Sequence, residues 1–285
     1  MTTFEIDTND FVTLLSQSQR RATIAGNTGP QVYGLKLSSK EGVLRSIWIV
    51  KDGISSLSWF SHPVSNDVWE EGDVYLPDID RVLGILRFHG GNLKVETVNE
   101  DGVRFTSNNK QTTIQSSPRA LAFPNGRDSL MGWAEKSEEL ASRIQDGKYR
   151  TSNGDLLDPM LVLKVDGVDM YEAFRCAGIN GQDPDLFVFD YSVARKRDEI
   201  RIRVGQDLKG ATVSRVEAEP LTNTAGIGGF DVAYNGGFDN LFKHINGPVN
   251  LSFFDFRSAN QGIALLISWG IHRNWVLLAS FEKCK

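Results

Sequence analysis

The sequence predicts an α+β protein made of two copies of one domain, each with two helices on a curved antiparallel sheet. Three observations lead there: an internal repeat of long period, a shared order of helix-like and strand-like segments, and a composition rich enough for two cores. The chain has 285 residues, 40% hydrophobic and 24% charged, which suits an ordered protein of two ordinary domains.

The repeat rests on two pairs of segments. Ile6-Asp7-Thr8-Asn9-Asp10-Phe11 resembles Val165-Asp166-Gly167-Val168-Asp169-Met170, 159 positions on (165 − 6). Ile79-Asp80-Arg81-Val82-Leu83 resembles Phe238-Asp239-Asn240-Leu241-Phe242 at the same offset (238 − 79). Weak likenesses at one shared offset mark a duplicated unit. The expected boundaries are 1–117 and 159–285, joined by a connector over 118–158.

Within each copy the order is strand, helix, several strands, helix, several strands. In the first copy Val32 to Leu37, Val43 to Val50 and Ile54 to Phe60 are rich in β-branched and aromatic residues, with Lys51-Asp52-Gly53 as a hairpin turn. Leu93 to Val98, Val103 to Thr106 and Gln111 to Ser117 follow the second helix. The second copy answers with Leu186 to Tyr191, Glu199 to Val204 and Ala211 to Glu219, then Val249 to Phe256, Ile263 to Ser268 and Trp275 to Ala279. Helices beside runs of antiparallel strands make an α+β pattern. In the connector, Asp128 to Ile144 has a helical pattern with Asp128 at its cap and Gly147 past its end. Its charged and small residues predict a solvated excursion.

The first helix, from Thr8 to Arg21, buries Phe11, Leu14, Leu15 and Ser18, with Thr8 as its cap. Thr13, Gln17 and Arg20 fall on its other face. The second opens at Pro77 and buries Ile79, Val82, Leu83 and Leu86, leaving Arg81, Arg87 and His89 off the stripe. The third, Gly167 to Ala177, turns Met170, Phe174 and Ala177 inward and Arg175 outward. The fourth, Gly237 to Ile245, buries Phe238, Leu241, Phe242 and Ile245 and leaves Asn240, Lys243 and His244 outside. Acidic residues gather in the opening turns, where they suit the helix dipole, and basic ones lie further along. The net charge of −5 argues against a body coated in positive charge, yet each helix can present cations locally. A lone arginine on a solvated helix usually serves solubility; four helices doing this at equivalent places is a different matter.

Taken in this order, the sequence resembles the sliding-clamp family, in particular the two-domain type typified by proliferating cell nuclear antigen and its archaeal and phage relatives. The likeness spans nearly the whole chain through segment order. It is strongest at Asp80-Arg81-Val82-Leu83, the Gly236 to Ile245 helix and Trp275-Val276-Leu277-Leu278-Ala279-Ser280. The resemblance implies a duplicated DNA-clamp domain that assembles into a ring around duplex DNA, with helices lining the hole. It assigns Arg20 or Arg21, Arg81, Arg175 and Lys243 to the DNA-facing surface, with Arg87 and His244 as lesser candidates. Such contacts reach phosphates and read no bases.

It also implies a homotrimer whose subunits pair edge strands: Gln111, Thr113 and Gln115 on one subunit, Thr212, Ser214 and Val216 on the next. A partner-peptide pocket falls on Leu121, Ala122 and Phe123 with Leu277, Ala279 and Ser280. Ser280 stands where the family usually has proline, and the 128–147 insert is longer than the family's connector. The implied partners are double-stranded DNA, a DNA polymerase and a clamp loader. Neither a cofactor nor a catalytic group is implied.

Other chemistries find little support. Ala225-Gly226-Ile227-Gly228-Gly229 lacks the lysine and following helix of a phosphate-binding loop, and His62, His89, His244 and His272 show no metal-ligand spacing. No nucleophile-elbow motif organises a serine. Two cysteines, Cys176 and Cys284, make no disulfide framework, so a reducing cytoplasm is expected. No signal-peptide pattern opens the chain, and the longest apolar stretch, Gly262 to Ile271, is far below the roughly 20 residues of a membrane span. Two other readings stay open: a non-ring DNA-binding module using Arg195-Lys196-Arg197 with Arg201 and Arg203, and a subunit of a hetero-oligomeric clamp.

Overall fold

The computed structural model describes residues 2–18, 21–24, 27–30, 35–40, 43–49, 57–63, 65–76, 78–99, 101–116, 139, 142–179, 186–194, 197–204, 213–223, 227, 230–235, 239–259, 262–270, 272–276 and 279–284. Its helices are α1 (Thr8–Ser18), α2 (Ile79–Leu86), α3 (Gly167–Ile179) and α4 (Asp239–Phe242).

Aspartates start three of these helices by the same means. At α1 it is Asp7, not Thr8, that serves as the cap: its Oδ1 accepts from the N–H of Asn9 at 2.8 Å and of Asp10 at 3.4 Å. The Thr8 hydroxyl instead donates to the Gly91 carbonyl at 2.7 Å. Asp78 holds an extended conformation ahead of α2 and accepts from Arg81 N–H at 2.9 Å, while Pro77 lies outside the described residues. Asp166 caps α3 through Val168 and Asp169. Each bond satisfies an amide that the helix leaves without a partner. α1 ends at Ser18, short of the expected Arg21. Arg21–Ile24, with β-branched Thr23 and Ile24, pairs instead with Asn27–Pro30.

The strands repeat element by element. In the first half a five-stranded sheet runs Lys110–Gln115, Gly102–Ser107, Asn92–Val98, Thr3–Asp7, Ser65–Glu70, and a four-stranded one runs Leu57–Pro63, Val43–Ile49, Leu35–Lys40, Gly72–Leu76. The second half has His272–Val276, Ile263–Trp269, Pro248–Asp255, Leu161–Asp166, Glu219–Pro220, and then Val213–Glu217, Arg197–Val204, Leu186–Ala194, Phe230–Asn235. Ala279–Cys284 adds a fifth strand beside Phe230–Asn235. The expected closing strand from Trp275 to Ala279 is therefore two strands in two sheets, because Trp275 sits opposite Leu266 and Ala279 opposite Tyr234. Lys51-Asp52-Gly53 lies outside the described residues.

One buried apolar cluster runs through both halves. Phe11 meets Phe4 and Phe105 at centroid distances of 6.2 and 6.3 Å, and Phe174 stacks on Phe242 at 5.4 Å. Edge-to-face and stacked rings of this kind add to the stabilisation their burial already supplies.

Past the Asp128 to Ile144 segment, the end of the connector packs on the second half. Ile144 opens a strand, Ile144–Gln145, paired with Lys148–Arg150, which pairs in turn with Leu156–Leu157. Asp146 (φ 50°) and Gly147 (φ 76°) make the two-residue turn, both in the left-handed region that such hairpins require. Ile144, Tyr149 and Leu157 pack over Phe254, Ala264 and Leu266 as a second, smaller core. Of the expected helix before it, helical backbone is described only at Glu139 and Ser142.

Candidate nucleic-acid interface and assembly edges

α1 touches α2 on one side and α4 on the other, and α4 also touches α3. The helices thus form a row, α2–α1–α4–α3, that crosses from the first half into the second. Gln17 bridges the crossing: its Nε2 donates to the Leu241 carbonyl at 3.5 Å, and the residue is only 5% exposed. The sequence pattern puts Gln17 on a solvated face; α4 covers that face.

Among the described residues, the exposed cations in these helices or directly after them are Arg81, Arg87, Arg175 and Lys243; exposed Lys110 donates to the Phe88 carbonyl past the end of α2. Asp10, Asp80 and Asp169 sit in opening turns as expected, and exposed Glu172 stands within α3. Charge on the described helices is therefore placed by position and is not uniformly positive.

Two cations share one structural position. Thr8 N–H donates to Gly91 O and Gly167 N–H to Gly247 O, both at 2.9 Å. His89 N–H donates to Leu86 O and Ile245 N–H to Phe242 O, both at 3.0 Å. The second pair fixes an offset of 156 (245 − 89), three fewer than at the first helix, because α4 is shorter than α2. On this register Arg87 matches Lys243. Each follows a helix directly, beside the carbonyl end where a cation is favoured. The repeat at 159 matches Arg81 with Asn240, which hides this relation.

Neither histidine near these cations is a strong positive group. His244 is half-buried, and burial first, then the Lys243 charge, hold its pKa below the ordinary value. His89, expected outside the apolar stripe, is buried. Its Nδ1 lies 2.8 Å from Ser107 Oγ and its Nε2 3.1 Å from Thr112 Oγ1; burial and then Lys110 lower its pKa too.

The two halves also meet through strands. Leu57–Pro63, outermost in its sheet, lies alongside His272–Val276, outermost in its own. The counterparts of these two strands are Val213–Glu217 and Lys110–Gln115, and each of those is an edge as well.

No protein-family model and no curated protein sequence matches the chain. Solved structures do. A. fulgidus PCNA, bound to the C-terminal region of FEN-1, superposes with a TM-score of 0.61 at 12% identity, covering 99% of this chain and 100% of that one. The C. crescentus beta sliding clamp gives 0.60 at 16% identity over 98% of this chain, and the Thermotoga maritima DNA polymerase III beta subunit gives 0.59 at 14% over 99%. The chain has the sliding-clamp fold. It spans 66% of the length of each of those two beta proteins.

Within the clamp fold the predicted site residues fall as follows. Arg81, Arg87, Arg175 and Lys243 are exposed on the helical row, and His244 is half-buried beside it. Arg21 opens a strand and only its backbone is described; Arg20 lies outside the described residues. Gln111, Thr113 and Gln115 are exposed on the Lys110–Gln115 edge. On the opposite edge Ser214 is half-buried and Val216 is buried, with Thr212 outside the described residues. Leu121, Ala122, Phe123 and Leu277 also lie outside them, and Ala279 and Ser280 are described as backbone in Ala279–Cys284. Among the described residues no three His, Cys, Asp or Glu side chains gather as a metal site, and no helix is long and apolar enough to cross a membrane.

Proposed function

We propose that the chain acts as a sliding clamp: a homotrimeric ring that encircles duplex DNA and tethers a DNA polymerase, without catalysis of its own. The observation that carries this reading is the junction between the halves. Inside one chain, α1 meets α4 while Leu57–Pro63 lies beside His272–Val276. The counterparts of all four elements are α3, α2, Val213–Glu217 and Lys110–Gln115, and these stand at the two ends of the chain's own helix row and sheets. Repeating the internal junction between chains joins head to tail and, with closure, gives a ring of clamp domains. Residues 1–117 and 159–285 are the two clamp domains in this reading, with 118–158 between them.

Arg87 and Lys243 would then recur around the hole, with Arg81 and Arg175 beside them, attracting phosphates without reading bases. A clamp loader would open the ring, and the partner peptide would enter near Leu121 to Phe123 and Ala279. The test has two steps. Light scattering should give three times the 31.7 kDa of one chain, and the loaded protein should stay on closed circular DNA and run off linear DNA. Equal retention on both would replace the ring with a surface-binding module, and a three-chain mass reached only with a second protein would make the chain part of a hetero-oligomeric clamp.

A further inference from the structure

The turn after α2 is clasped by the hairpin that joins Gly102–Ser107 to Lys110–Gln115. His89 is buried, with Nδ1 2.8 Å from Ser107 Oγ and Nε2 3.1 Å from Thr112 Oγ1. Lys110 Nζ donates to Phe88 O at 2.6 Å, and Asn108 Nδ2 to Gly90 O at 3.4 Å. Phe88 N–H donates back into the helix, to Ile85 O at 3.0 Å. The backbone of Phe88 is thus held at both its N–H and its carbonyl, and the next side chain is tucked inside. Its own ring is left out: Phe88 is 70% exposed, and among the described large apolar side chains none is more so. A ring this open, on a backbone this well tied, is presented to something outside the core.

The surroundings are cationic. Exposed Arg87 precedes Phe88, the Lys110 ammonium lies against its carbonyl, and exposed Arg81 stands on the same side of α2, seven residues back (88 − 81). Between Arg81 and Phe88 the helix surface is open, since a Cβ placed on Gly84 would meet nothing within 4 Å. The exposed acids Asp78 and Asp80 sit at the opposite end of the helix. On the register that matches Arg87 with Lys243, Phe88 matches His244 (244 − 156). Both halves therefore set an aromatic ring directly after the cation, one exposed and one half-buried.

We propose that Phe88 is a stacking platform for an unpaired base of single-stranded DNA, with Arg87, Lys110 and Arg81 attracting the phosphates on either side. An exposed aromatic ring interleaved with cations is the chemistry that such a strand needs. Every base offers a flat face, so stacking tolerates any sequence, while the cations follow the backbone. In duplex DNA the bases stack on one another and are closed to the ring. The platform accordingly takes a strand where a duplex ends. This adds a second kind of DNA to the ring reading, and the site needs only one chain.

Fluorescence anisotropy with a labelled oligothymidylate of about eight nucleotides, and with an abasic strand of the same length and charge, tests the platform. The oligothymidylate should bind at least about fivefold more tightly, because stacking adds to the phosphate contacts. Phe88→Ala should lower it to the abasic level and leave abasic binding as it was. Phe88→Tyr should keep the parent's preference, and Arg87→Ala should weaken both strands. Equal binding of the two strands by the parent protein would overturn the platform, as would a Phe88→Ala protein that keeps the preference. So would an oligothymidylate that fails to bind at low salt. A Phe88→Ala protein whose mass by light scattering falls to one chain, with the preference intact, would assign the ring to a contact between copies instead. A monomeric chain that prefers the base-bearing strand would keep the platform and lose the ring; retention on closed circles without that preference would do the reverse.

Discussion

Asp7 and Asp166 make the same pair of hydrogen bonds 159 residues apart (166 − 7): each Oδ1 accepts one backbone N–H two residues on at 2.8 Å and the next at 3.4 Å. The equality of both distances ties the two halves together more firmly than the six-residue resemblance around them. Replacing either aspartate by alanine should destabilise the fold by about 1 kcal/mol. The two effects should add, because distant sites rarely couple. Urea unfolding of the single and double variants measures this.

The positions next to these caps are not interchangeable. A Cβ on Gly167 would come within 2.6 Å of the Ile245 carbonyl oxygen and 2.8 Å of its Cγ2. Thr8, its counterpart, keeps its side chain by donating to Gly91 O. Gly167→Ala should therefore cost about 1–3 kcal/mol, because a backbone carbonyl yields little. A variant as stable as the parent would mean that α4 can shift without loss.

Arg87→Ala and Lys243→Ala should weaken DNA retention to similar extents, since the two occupy one structural position. Each substitution removes one cation from every chain of the ring, so the slope of log affinity against log salt should fall by about 0.9 for each of the copies that neutralises a phosphate. Retention on closed circles of unrelated sequence over a range of salt checks this, and the weakening should not depend on sequence. His244→Gln should change the slope little near neutral pH, because burial and Lys243 favour its uncharged form.

Stability should fall on mild acidification, and the sign follows from the histidines. His89 and His244 have pKa values below the ordinary 6.5, so between that value and the native one the unfolded chain binds more protons. Stability is then fully present above the unfolded value and declines as pH drops through it toward the native values. His89→Gln, which can still bond to Ser107 and Thr112, should show a smaller drop in urea midpoint between about pH 7.5 and about pH 5.5. An unchanged drop would place the effect on other groups.

Tyr149→Ala should loosen the small hairpin assembly over 144–157, since its ring meets Phe256 at 5.0 Å and helps cover Phe254 and Leu266. Removing a large aromatic from such a cluster costs about 3–5 kcal/mol where it is fully buried and less for half-buried Tyr149. Limited proteolysis should cut 144–157 faster in the variant, with the rest of the chain resisting as before.

Much of the fold is legible because burial writes itself into periodicity. Phe11, Leu14 and Leu15, then Ile79, Val82 and Leu86, recur at helical spacing, and Val103, Phe105 and Ser107 alternate inward along one strand. Ser65–Glu70 escapes that pattern because polar Ser65, Asn66 and Asp67 hide a strand that Thr3–Asp7 recruits by backbone pairing. The connector hairpin carries its signal in Asp146-Gly147, a turn pair that also resembles the end of a helix. Gln17 and His89 depart from expectation for a related reason: single-helix reasoning puts polar side chains in water, and here α4 and the Ser107–Thr112 hairpin cover them. The matching of Arg87 with Lys243 needs the structure, since a helix shortened by one turn shifts the repeat between its start and its end.

The outer surfaces of the two sheets that contain Thr3–Asp7 and Leu161–Asp166 have parted company. In the first half Glu96 holds Lys94 at 2.8 Å and Arg104 at 3.0 Å. At the matching places in the second half Ser252 lies opposite Leu266, under the 144–157 hairpins. In the proposed ring, DNA would pass six nearly equivalent walls, while a protein approaching from outside would meet three charged walls alternating with three roofed ones. The inside would thus be close to sixfold and the outside strictly threefold, so the exterior alone would tell a visitor which half of a subunit it has reached.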